Sequence, residues 1–316
     1  MKILITGVHG FVGTNLVKAL SMSNLIYGVD IIAPMMEGVR FTFSWDYLDK
    51  EGEIPEVDAI IHLAGKAHDT KNQSAADVYF KVNTELTKKI YDYYLRSKRA
   101  KKFIFFSSVK AAADRVEGEY VDENVVPSPK GPYGESKIAA EEYIRSKEDE
   151  RIKLDKETYI LRPCMIHGPG NKGNLNLLYG VVKKGIPWPL GAFENKRTFT
   201  SIDNLCFIIK GILDQDIESG VYNINDDEAV STNELIDIIC ESLGKQAHIW
   251  HIPRGLMAGV AKLGGAMHLP LNPERLQKLT ENYVSSNAKI KKALGVEQLP
   301  VRAKDGLTMT IKSFEK

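Results

Sequence analysis

The chain has 316 residues, of which 43% are hydrophobic and 26% are charged. These are ordinary values for a globular protein, and the length allows one large domain or two unequal ones. The 42 lysines and arginines nearly balance the 41 aspartates and glutamates, which leaves a formal net charge of +1. This balance gives no reason to expect nucleic acid or an anionic membrane as the main partner, although a local basic cluster could hold one anionic ligand.

Cysteine usage and the N-terminal segment predict a cytoplasmic protein. The cysteines Cys164, Cys206 and Cys240 are odd in number and widely spaced, which favours free thiols in a reducing compartment. The segment MKILITGVHG reaches glycine too soon for the apolar region of a signal peptide. Since no stretch approaches the roughly 20 apolar residues that span a bilayer, we expect no membrane partner.

Short apolar runs in the first half predict strands. They are continuous rather than alternating, as in strands that are buried on both faces of a parallel sheet. The runs are KILIT (2–6), LIYGVD (25–30), AIIHLAG (59–65), KFIFFSS (102–108) and TYILRP (158–163). Helical patterns lie between them, at 11–21, 75–97 and 137–147. This alternation predicts a doubly wound α/β fold of the Rossmann type.

The pattern changes after Pro163, where glycine and proline become dense and helical segments follow one another. We expect residues 1–162 to form one domain and residues 163–316 a smaller, mostly helical lobe. Two strand-like stretches interrupt this second part, RTFTSI (197–202) and VYNIN (221–225). The segments near 197–203 and 221–225 are therefore expected to return to the sheet.

A glycine-rich turn follows the first predicted strand and opens the first helix. In TGVHGFVG (6–13), Gly7, Gly10 and Gly13 allow a tight turn, close approach to a pyrophosphate and close packing of the helix on the sheet. The N–H groups and the dipole of the helix N-terminus favour an anion at this place. The sequence predicts a dinucleotide site here, and the alternative is a plain strand–helix turn.

An acidic residue ends the second predicted strand. A carboxylate at Asp30 can accept hydrogen bonds from an adenosine ribose and would repel a 2′-phosphate. We therefore expect NAD rather than NADP.

A tyrosine and a lysine lie one helical turn apart in GPYGESKIAAEE (131–142). The phenol of Tyr133 has an ordinary pKa of about 10, which is too high for efficient proton transfer near neutrality. The ammonium of Lys137, together with the positive nicotinamide ring of NAD⁺, is expected to lower that pKa. Ser108 ends a predicted strand, where its hydroxyl could orient a substrate oxygen. Together these residue types predict hydride transfer from a secondary alcohol, although each alone is also common in packing, solvation or capping.

These motifs resemble those of the extended short-chain dehydrogenases/reductases, in the nucleotide-sugar epimerase/dehydratase group. The matching segments are TGVHGFVG, HLAG (62–65), YGESK and LRP, with Asp30 and Asn83. The resemblance implies NAD as cofactor and Ser108, Tyr133 and Lys137 as the catalytic residues. The NAD contacts that it implies are Gly7, Gly10, Phe11, Val12, Gly13, Asp30, Asp46, Leu63, Ala64, Gly65, Asn83, Tyr133 and Lys137. For Asp46, which resembles the residue that contacts the adenine, a helix N-cap is an equally good explanation.

In this family the first half of the chain binds NAD and the second half binds a nucleoside diphosphate sugar. The resemblance therefore implies that residues 1–162 are the NAD-binding Rossmann domain and residues 163–316 the substrate-binding lobe. The substrate contacts that the resemblance implies are Lys66, Ser108, Asn174, Asn176, Arg197 and Arg275. Arg197 lies in NKRTFTSIDN (195–204), which is similar to the segment whose arginine contacts the diphosphate, and a guanidinium suits that contact. Asn174 and Asn176 are expected along the diphosphate. Arg275 is either a second phosphate contact or a solvated helix residue, and His68 is a further candidate near Lys66.

Departures from the family pattern reduce the number of family reactions that fit this sequence. Sugar 4,6-dehydratases carry an Asp-Glu pair after the catalytic hydroxyl residue, whereas Val109 and Lys110 follow Ser108 here, which argues against dehydration. Met165 stands where many 4-epimerases have an asparagine. The segments SSVK and LRP…HGPG resemble a subgroup that acts on UDP-N-acetylhexosamines, which includes 4-epimerases and 4-keto-reductases.

We therefore expect an NAD-dependent 4-epimerase of UDP-hexoses or UDP-N-acetylhexosamines. The main alternative is a 4-reductase of UDP-4-keto-6-deoxy-hexosamines. A non-catalytic NAD-binding regulator is disfavoured because Tyr133 and Lys137 are both kept, and a steroid or flavonoid dehydrogenase is disfavoured by the Arg197 segment. No metal site is expected, because the histidines lack paired carboxylates. The family also implies a homodimer formed through the helices near 75–97 and 133–147.

Overall fold

A parallel sheet lies at the centre of the protein. The computed structural model describes residues 1–50, 52–67, 75–171, 173–266 and 272–315. The strands are β1 Lys2–Thr6, β2 Leu25–Val29, β3 Val39–Phe43, β4 Ala59–His62, β5 Lys102–Phe106, β6 Glu157–Pro163, β7 Met165–His167, β8 Phe199–Ser201 and β9 Gly220–Ile224. The predicted runs of the first half all contain strands.

Within the described ranges, seven strands form the main sheet in the order β3-β2-β1-β4-β5-β6-β9, and every pairing is parallel. Because β1 pairs with both β2 and β4, the order of the strands reverses beside β1. Loops that leave the carboxyl ends of β1 and β4 diverge at such a point and open a crevice for a ligand. The predicted doubly wound fold of the Rossmann type is confirmed.

Helices connect the strands and cover both faces of the sheet. They are α1 Phe11–Leu20, α2 Ala76–Tyr79, α3 Leu86–Arg96, α4 Val109–Ala112, α5 Pro132–Ser146, α6 Glu148–Lys153, α7 Asn174–Lys183, α8 Ile202–Asp214, α9 Thr232–Ser242, α10 Arg254–Ala266, α11 Pro273–Thr280, α12 Ala288–Leu294 and α13 Ala303–Lys312. A π-helical turn, Phe80–Glu85, joins α2 to α3. The predicted helix 75–97 is therefore continuous but contains a π-helical turn in its middle.

Alternate side chains of each strand belong to two different cores, one on each face. In β1, Ile3 and Ile5 pack with α1 and α8, whereas Leu4 packs with α3 and α5. Tyr91 and Tyr94 of α3 belong to the second of these cores and are fully buried within the chain. Since both rings are used inside the monomer, neither is on a surface that could contact a second chain.

The second half of the chain contributes to both the sheet and a separate core. Strand β9 pairs with β6 at the edge of the main sheet. The expectation that 197–203 also returns to this sheet is wrong, because β8 pairs with β7 in a two-stranded sheet of its own. A further hydrophobic cluster forms among α7, α9, α10 and α13. In the part of the chain that the structure describes, no helix has both the length and the apolar composition needed to cross a membrane.

Candidate active site

The loop between β1 and α1 leaves no space for side chains at two of its glycines. Gly7 has a φ of +69°, and a Cβ there would lie 2.9 Å from the backbone N of Ala64. A Cβ at Gly13 would lie 2.5 Å from the carbonyl oxygens of Gly7 and Val8. Gly10 is the N-cap of α1, and a glycine has no side chain that could cap the amides of Phe11, Val12 and Gly13. The loop therefore fits the pyrophosphate of a dinucleotide, which is bound by backbone N–H groups.

Asp30 lies against this glycine loop. Its Oδ2 accepts a hydrogen bond from the amide of His9 at 3.0 Å, and its Oδ1 accepts one from the amide of Ile31 at 2.7 Å. The carboxylate thus lies beside the turn, where a fold of this type binds the adenosine ribose.

Asp46 has a more exposed setting than Asp30. It belongs to the short 3₁₀ turn Trp45–Asp49, whose N-cap is Ser44, so the N-cap explanation for Asp46 is wrong. Its carboxylate accepts a hydrogen bond from the Ser44 hydroxyl and pairs with Lys50 Nζ at 3.2 Å. The Ser44 and Lys50 contacts lower the pKa of Asp46. A contact with the adenine remains a prediction for this residue.

The loop after β4, residues 63–66, is held between the glycine loop and the π-helical turn. The amide of Ala64 donates to Thr6 Oγ1 at 3.1 Å. Asn83, in the π-helical turn, accepts from the Lys66 amide at 2.7 Å and donates to the Lys66 carbonyl at 3.1 Å. A Cβ at Gly65 would lie 3.0 Å from Asn83 Oδ1 and 3.1 Å from Lys137 Nζ. Three of the predicted NAD contacts therefore lie in this loop, namely Leu63, Ala64 and Gly65. A fourth, Asn83, holds the loop by its hydrogen bonds to Lys66.

Ser108, Tyr133 and Lys137 meet at the carboxyl end of β5. Tyr133 is partly buried on the first turn of α5 and is hydrogen-bonded to the side chain of Ser108. Ser108 is the N-cap of α4 and accepts the Lys110 amide at 3.2 Å. Lys137 is buried, and its Nζ donates to the Phe106 carbonyl at 2.7 Å. The three side chains thus share one end of the sheet with the glycine loop.

The pKa values of this group differ from the expectation drawn from the sequence. Burial raises the pKa of Tyr133, and the hydrogen bond with Ser108 acts in the opposite direction without reversing the shift. Burial also lowers the pKa of Lys137 to about 8, against which the carboxylate of Glu141 acts. The protein by itself therefore keeps the phenol protonated at neutral pH, and the expected lowering of its pKa is not a property of the chain alone.

A buried histidine, whose role the sequence did not reveal, connects the end of β1 to α3. His62 Nδ1 lies 2.6 Å from Thr6 Oγ1, and His62 Nε2 lies 2.9 Å from Thr87 Oγ1. The Thr87 hydroxyl donates to the Asn83 carbonyl at 2.6 Å, so it must accept from His62 Nε2–H. Burial lowers the pKa of His62 well below its ordinary value, with the charge of Lys137 as a second cause. His62 is therefore neutral and packs rather than titrates.

The predicted substrate residues are in different environments. Arg197 is partly buried, its Nε donates to the Glu281 carbonyl at 3.4 Å, and burial lowers its pKa. Lys66 lies over the Tyr79 ring, 5.5 Å from its centroid. Asn174 begins α7 and is exposed, and Arg275 is exposed on α11. Asn176 Oδ1 accepts the Gly173 amide and caps α7, so that oxygen is committed to the helix. His68 lies outside the described residues.

Tyr283 connects the Arg197 segment to the catalytic end of β5. Its backbone carbonyl accepts the Thr198 amide at 3.1 Å. Its hydroxyl donates to the carbonyls of Val109 at 3.2 Å and of Ala113 at 2.7 Å, at the two ends of α4. Tyr283 therefore connects α4, whose N-cap is Ser108, to the segment before β8 that contains Arg197.

Comparisons with known proteins agree with this geometry. A family profile described as the NAD dependent epimerase/dehydratase family matches residues 3–225. The chain is 32% identical over 271 residues to a UDP-glucose 4-epimerase of Vibrio cholerae, covering 80% of this chain and 78% of that protein. It is 27% identical to an N-acetyl-alpha-D-glucosaminyl-diphospho-ditrans,octacis-undecaprenol 4-epimerase of Escherichia coli O157:H7, covering 94% and 86%.

Solved structures share the fold. MoeE5 in complex with UDP-glucuronic acid and NAD is similar with a TM-score of 0.76 and 20% identity, covering 100% of this chain and 99% of that chain. The UDP-glucuronic acid 4-epimerase of Bacillus cereus in complex with NAD has a TM-score of 0.75 at 20% identity, with the same coverage. The profile match and the 32% identity confirm the resemblance inferred from the motifs: the chain belongs to the NAD-dependent epimerase/dehydratase family, is an enzyme, and uses NAD as its cofactor.

Proposed function

We propose that the protein is a 4-epimerase of UDP-hexoses or UDP-N-acetylhexosamines, in which Tyr133 exchanges a proton with the oxygen on C4 of the sugar. The observation that carries the proposal is the meeting of Ser108, Tyr133 and Lys137 at the end of β5, beside the glycine loop. The names of the two relatives support it, since both describe inversion at C4 of a hexose carried on a diphosphate.

In this mechanism each residue of the chain has a separate task. When bound, NAD supplies the acceptor and donor of hydride and, in its oxidised form, a positive charge that favours the phenolate. Tyr133 takes the proton of the C4 hydroxyl and later returns it, with the Ser108 hydroxyl orienting the same oxygen. Lys137 holds its ammonium near the loop after β4, where that charge also favours the phenolate. Arg197 binds the diphosphate by the bidentate geometry of its guanidinium.

The absence of a carboxylate pair after Ser108 supports epimerisation over dehydration. Val109 and Lys110 follow the serine in α4, and Lys110 Nζ donates to the Asp114 carbonyl at 2.7 Å and lies 4.1 Å from the centroid of the Tyr283 ring. Val109 has no ionisable group, and Lys110 is not a carboxylate, so this segment lacks the Asp-Glu pair that the dehydratases use for removal of water.

The test is incubation of the purified protein with UDP-GlcNAc without added NADH, followed by analysis of the sugar. Formation of UDP-GalNAc is expected. If the protein instead oxidises NADH only with a UDP-4-keto-6-deoxy-hexosamine, the proposal is wrong and the 4-reductase replaces it. A third arm uses GlcNAc on a polyprenyl diphosphate. If only this substrate is epimerised, the reaction at C4 is as proposed, but the proposal that the sugar is carried on a nucleotide is wrong.

A further inference from the structure

Helix α5 contacts the end of β5 through three side chains on one helix face. Tyr133, Lys137 and Glu141 are spaced four residues apart, so they lie along the same side of the helix. Tyr133 is hydrogen-bonded to Ser108, and Lys137 Nζ donates to the Phe106 carbonyl at 2.7 Å. Ser107, which lies between Phe106 and Ser108, donates its hydroxyl to Glu141 Oε1 at 2.5 Å. The contacts of Tyr133 and Lys137 belong to the proposed acid–base group, whereas the contact of Glu141 does not take part in proton transfer.

Glu141 is a fully buried carboxylate that is saturated with donors. Its exposed fraction is 0%, and that of Arg162 is 1%. The Arg162 guanidinium, from β6, donates from Nε at 2.9 Å and from a terminal nitrogen at 2.7 Å, which is a bidentate contact. Arg145, also on α5, adds a bond of 2.8 Å. Burial of a charge pair is costly, and apolar residues would pack a helix on a sheet at least as well, so stability alone is a weak explanation for this pair.

We propose that Glu141, held by Arg162, is a positioning residue that fixes the register of α5 against β5 and so sets Tyr133 and Lys137 opposite Ser108. The proposal rests on the proposed function, because it assigns these residues to proton transfer at C4. Ser107 is the contact that transmits the register to Glu141. It lies between Phe106, which Lys137 binds, and Ser108, which Tyr133 binds. A shift of the helix by a fraction of a turn would separate the phenol from the serine hydroxyl.

The same carboxylate is the negative charge that acts on the ammonium of Lys137. Its field raises the pKa of Lys137 against the effect of burial, which leaves that pKa at about 8. The other groups around Lys137 are His62, which is neutral, the uncharged side chain of Asn83, and Tyr133. Loss of the carboxylate should therefore lower the pKa of Lys137, so that the ammonium is lost at a lower pH.

The test uses one double variant and one single variant. Glu141→Gln alone would leave the Arg162 charge buried without its partner, so Glu141→Leu is combined with Arg162→Met to remove both charges. In this double variant we expect kcat to fall about 10- to 100-fold with little change in KM, because only the alignment of the reacting groups is lost. The alkaline limb of the kcat profile should move to lower pH.

Ser107→Ala separates position from charge, because it removes the contact with the strand and keeps the ion pair. We expect a smaller loss of kcat with an unmoved alkaline limb. Arg145→Met is the matched control: it removes a donor to the same carboxylate, but Arg145 is 42% exposed in its side chain and its contact stays within α5. This control should keep the wild-type kcat and pH profile.

A measurement without substrate distinguishes this proposal from the proposed function. The pKa of Lys137 is titrated by NMR of ¹³C-labelled lysine in the NAD-bound protein, with the signal assigned by Lys137→Met. A lower pKa in the double variant supports the proposal even if no UDP-sugar is turned over. A folded double variant with wild-type kcat and an unmoved Lys137 pKa would overturn it. If the double variant does not fold, a wild-type kcat in Ser107→Ala overturns it.

Discussion

At the scale of single residues, the proposed chemistry depends on a phenol that the protein does not ionise by itself. Burial raises the pKa of Tyr133 and lowers that of Lys137, which are the directions that disfavour charge on both groups. In the proposed mechanism the ammonium of Lys137, which lies beside Gly65, and the hydroxyl of Ser108 favour the phenolate once the positive charge of NAD⁺ is also present.

The first prediction concerns the hydroxyl of Tyr133. Tyr133→Phe should reduce kcat by about 10²- to 10⁴-fold, because general acid–base catalysis contributes that factor. NAD binding, measured by calorimetry, should be retained. Tyr143→Phe is the control on the same helix, since its hydroxyl donates to Asp92 at 2.5 Å rather than to a group of the site. A Tyr133→Phe enzyme with undiminished turnover would remove the basis of the mechanism.

The second prediction concerns the choice between NAD and NADP. Asp30→Asn keeps an acceptor oxygen for only one of the two amides, those of His9 and Ile31, and removes the negative charge that repels a 2′-phosphate. The ratio of the Kd values of NADP and NAD should therefore fall by about tenfold or more, which corresponds to roughly 1.4 kcal/mol. Asp46→Asn serves as the control, because this carboxylate is exposed and paired with Lys50. An unchanged ratio in Asp30→Asn would contradict the role of Asp30.

At the scale of secondary-structure elements, close packing of α1 on the turn before it forms the cofactor crevice. The helix begins at Phe11 directly after Gly10, and its Gly13 lies against the carbonyls of Gly7 and Val8. The π-helical turn Phe80–Glu85 has a comparable role on the other side, since it brings Asn83 to the loop after β4. At Gly13, α1 has no side chain, and at Phe80–Glu85 the helix departs from regular α-helical geometry. Both departures occur where the fold brings a ligand close to the backbone.

The third prediction tests this packing with a pair of glycines in helices. Gly13→Ala should destabilise the protein by about 1–3 kcal/mol, because its Cβ would overlap two backbone oxygens, and it should also weaken NAD binding. Gly180→Ala, in α7, meets no atom within 4 Å and should stabilise the helix by about 0.5–1 kcal/mol. Urea unfolding gives both values. Equal stability of the two variants would mean that α1 is not closely packed on the turn.

At the scale of the whole molecule, the second half of the chain passes repeatedly between the main sheet and the separate hydrophobic cluster beside it. Helix α8 packs with α1 on the main sheet, and β9 extends that sheet, although both come from the second half. The remaining helices of that half form the cluster of α7, α9, α10 and α13. A division at residue 163 remains a prediction about function, with NAD on one side and the substrate on the other, rather than a cut between two independent packing units.

The fourth prediction concerns assembly. The homodimer that the family resemblance implies would place α3 and α5 at the interface, and a light-scattering mass of about twice the 35.3 kDa of one chain is expected. Leu86→Glu, at the start of α3 and half-buried in the single chain, should reduce that mass to one chain. Leu177→Glu on α7 is the control, with a side chain that is already 65% exposed. A wild-type mass of one chain would contradict the dimer.

The sequence by itself predicted the strand–helix alternation, which is confirmed, because this alternation follows from local periodicity. It also predicted the glycine turn with Asp30 from residues close together in the chain, and the roles of Ser108, Tyr133 and Lys137 from those residues and the family resemblance; these roles stay predictions. It did not reveal the partner of β8, because hydrogen bonds between strands depend on the path of the whole chain. The ion pair of Glu141 and Arg162 joins residues that are distant in the sequence, and its only local sign was a charged residue in the apolar run TYILRP. The direction of the Tyr133 pKa shift was also decided by the tertiary structure, since burial outweighs the hydrogen bond with Ser108.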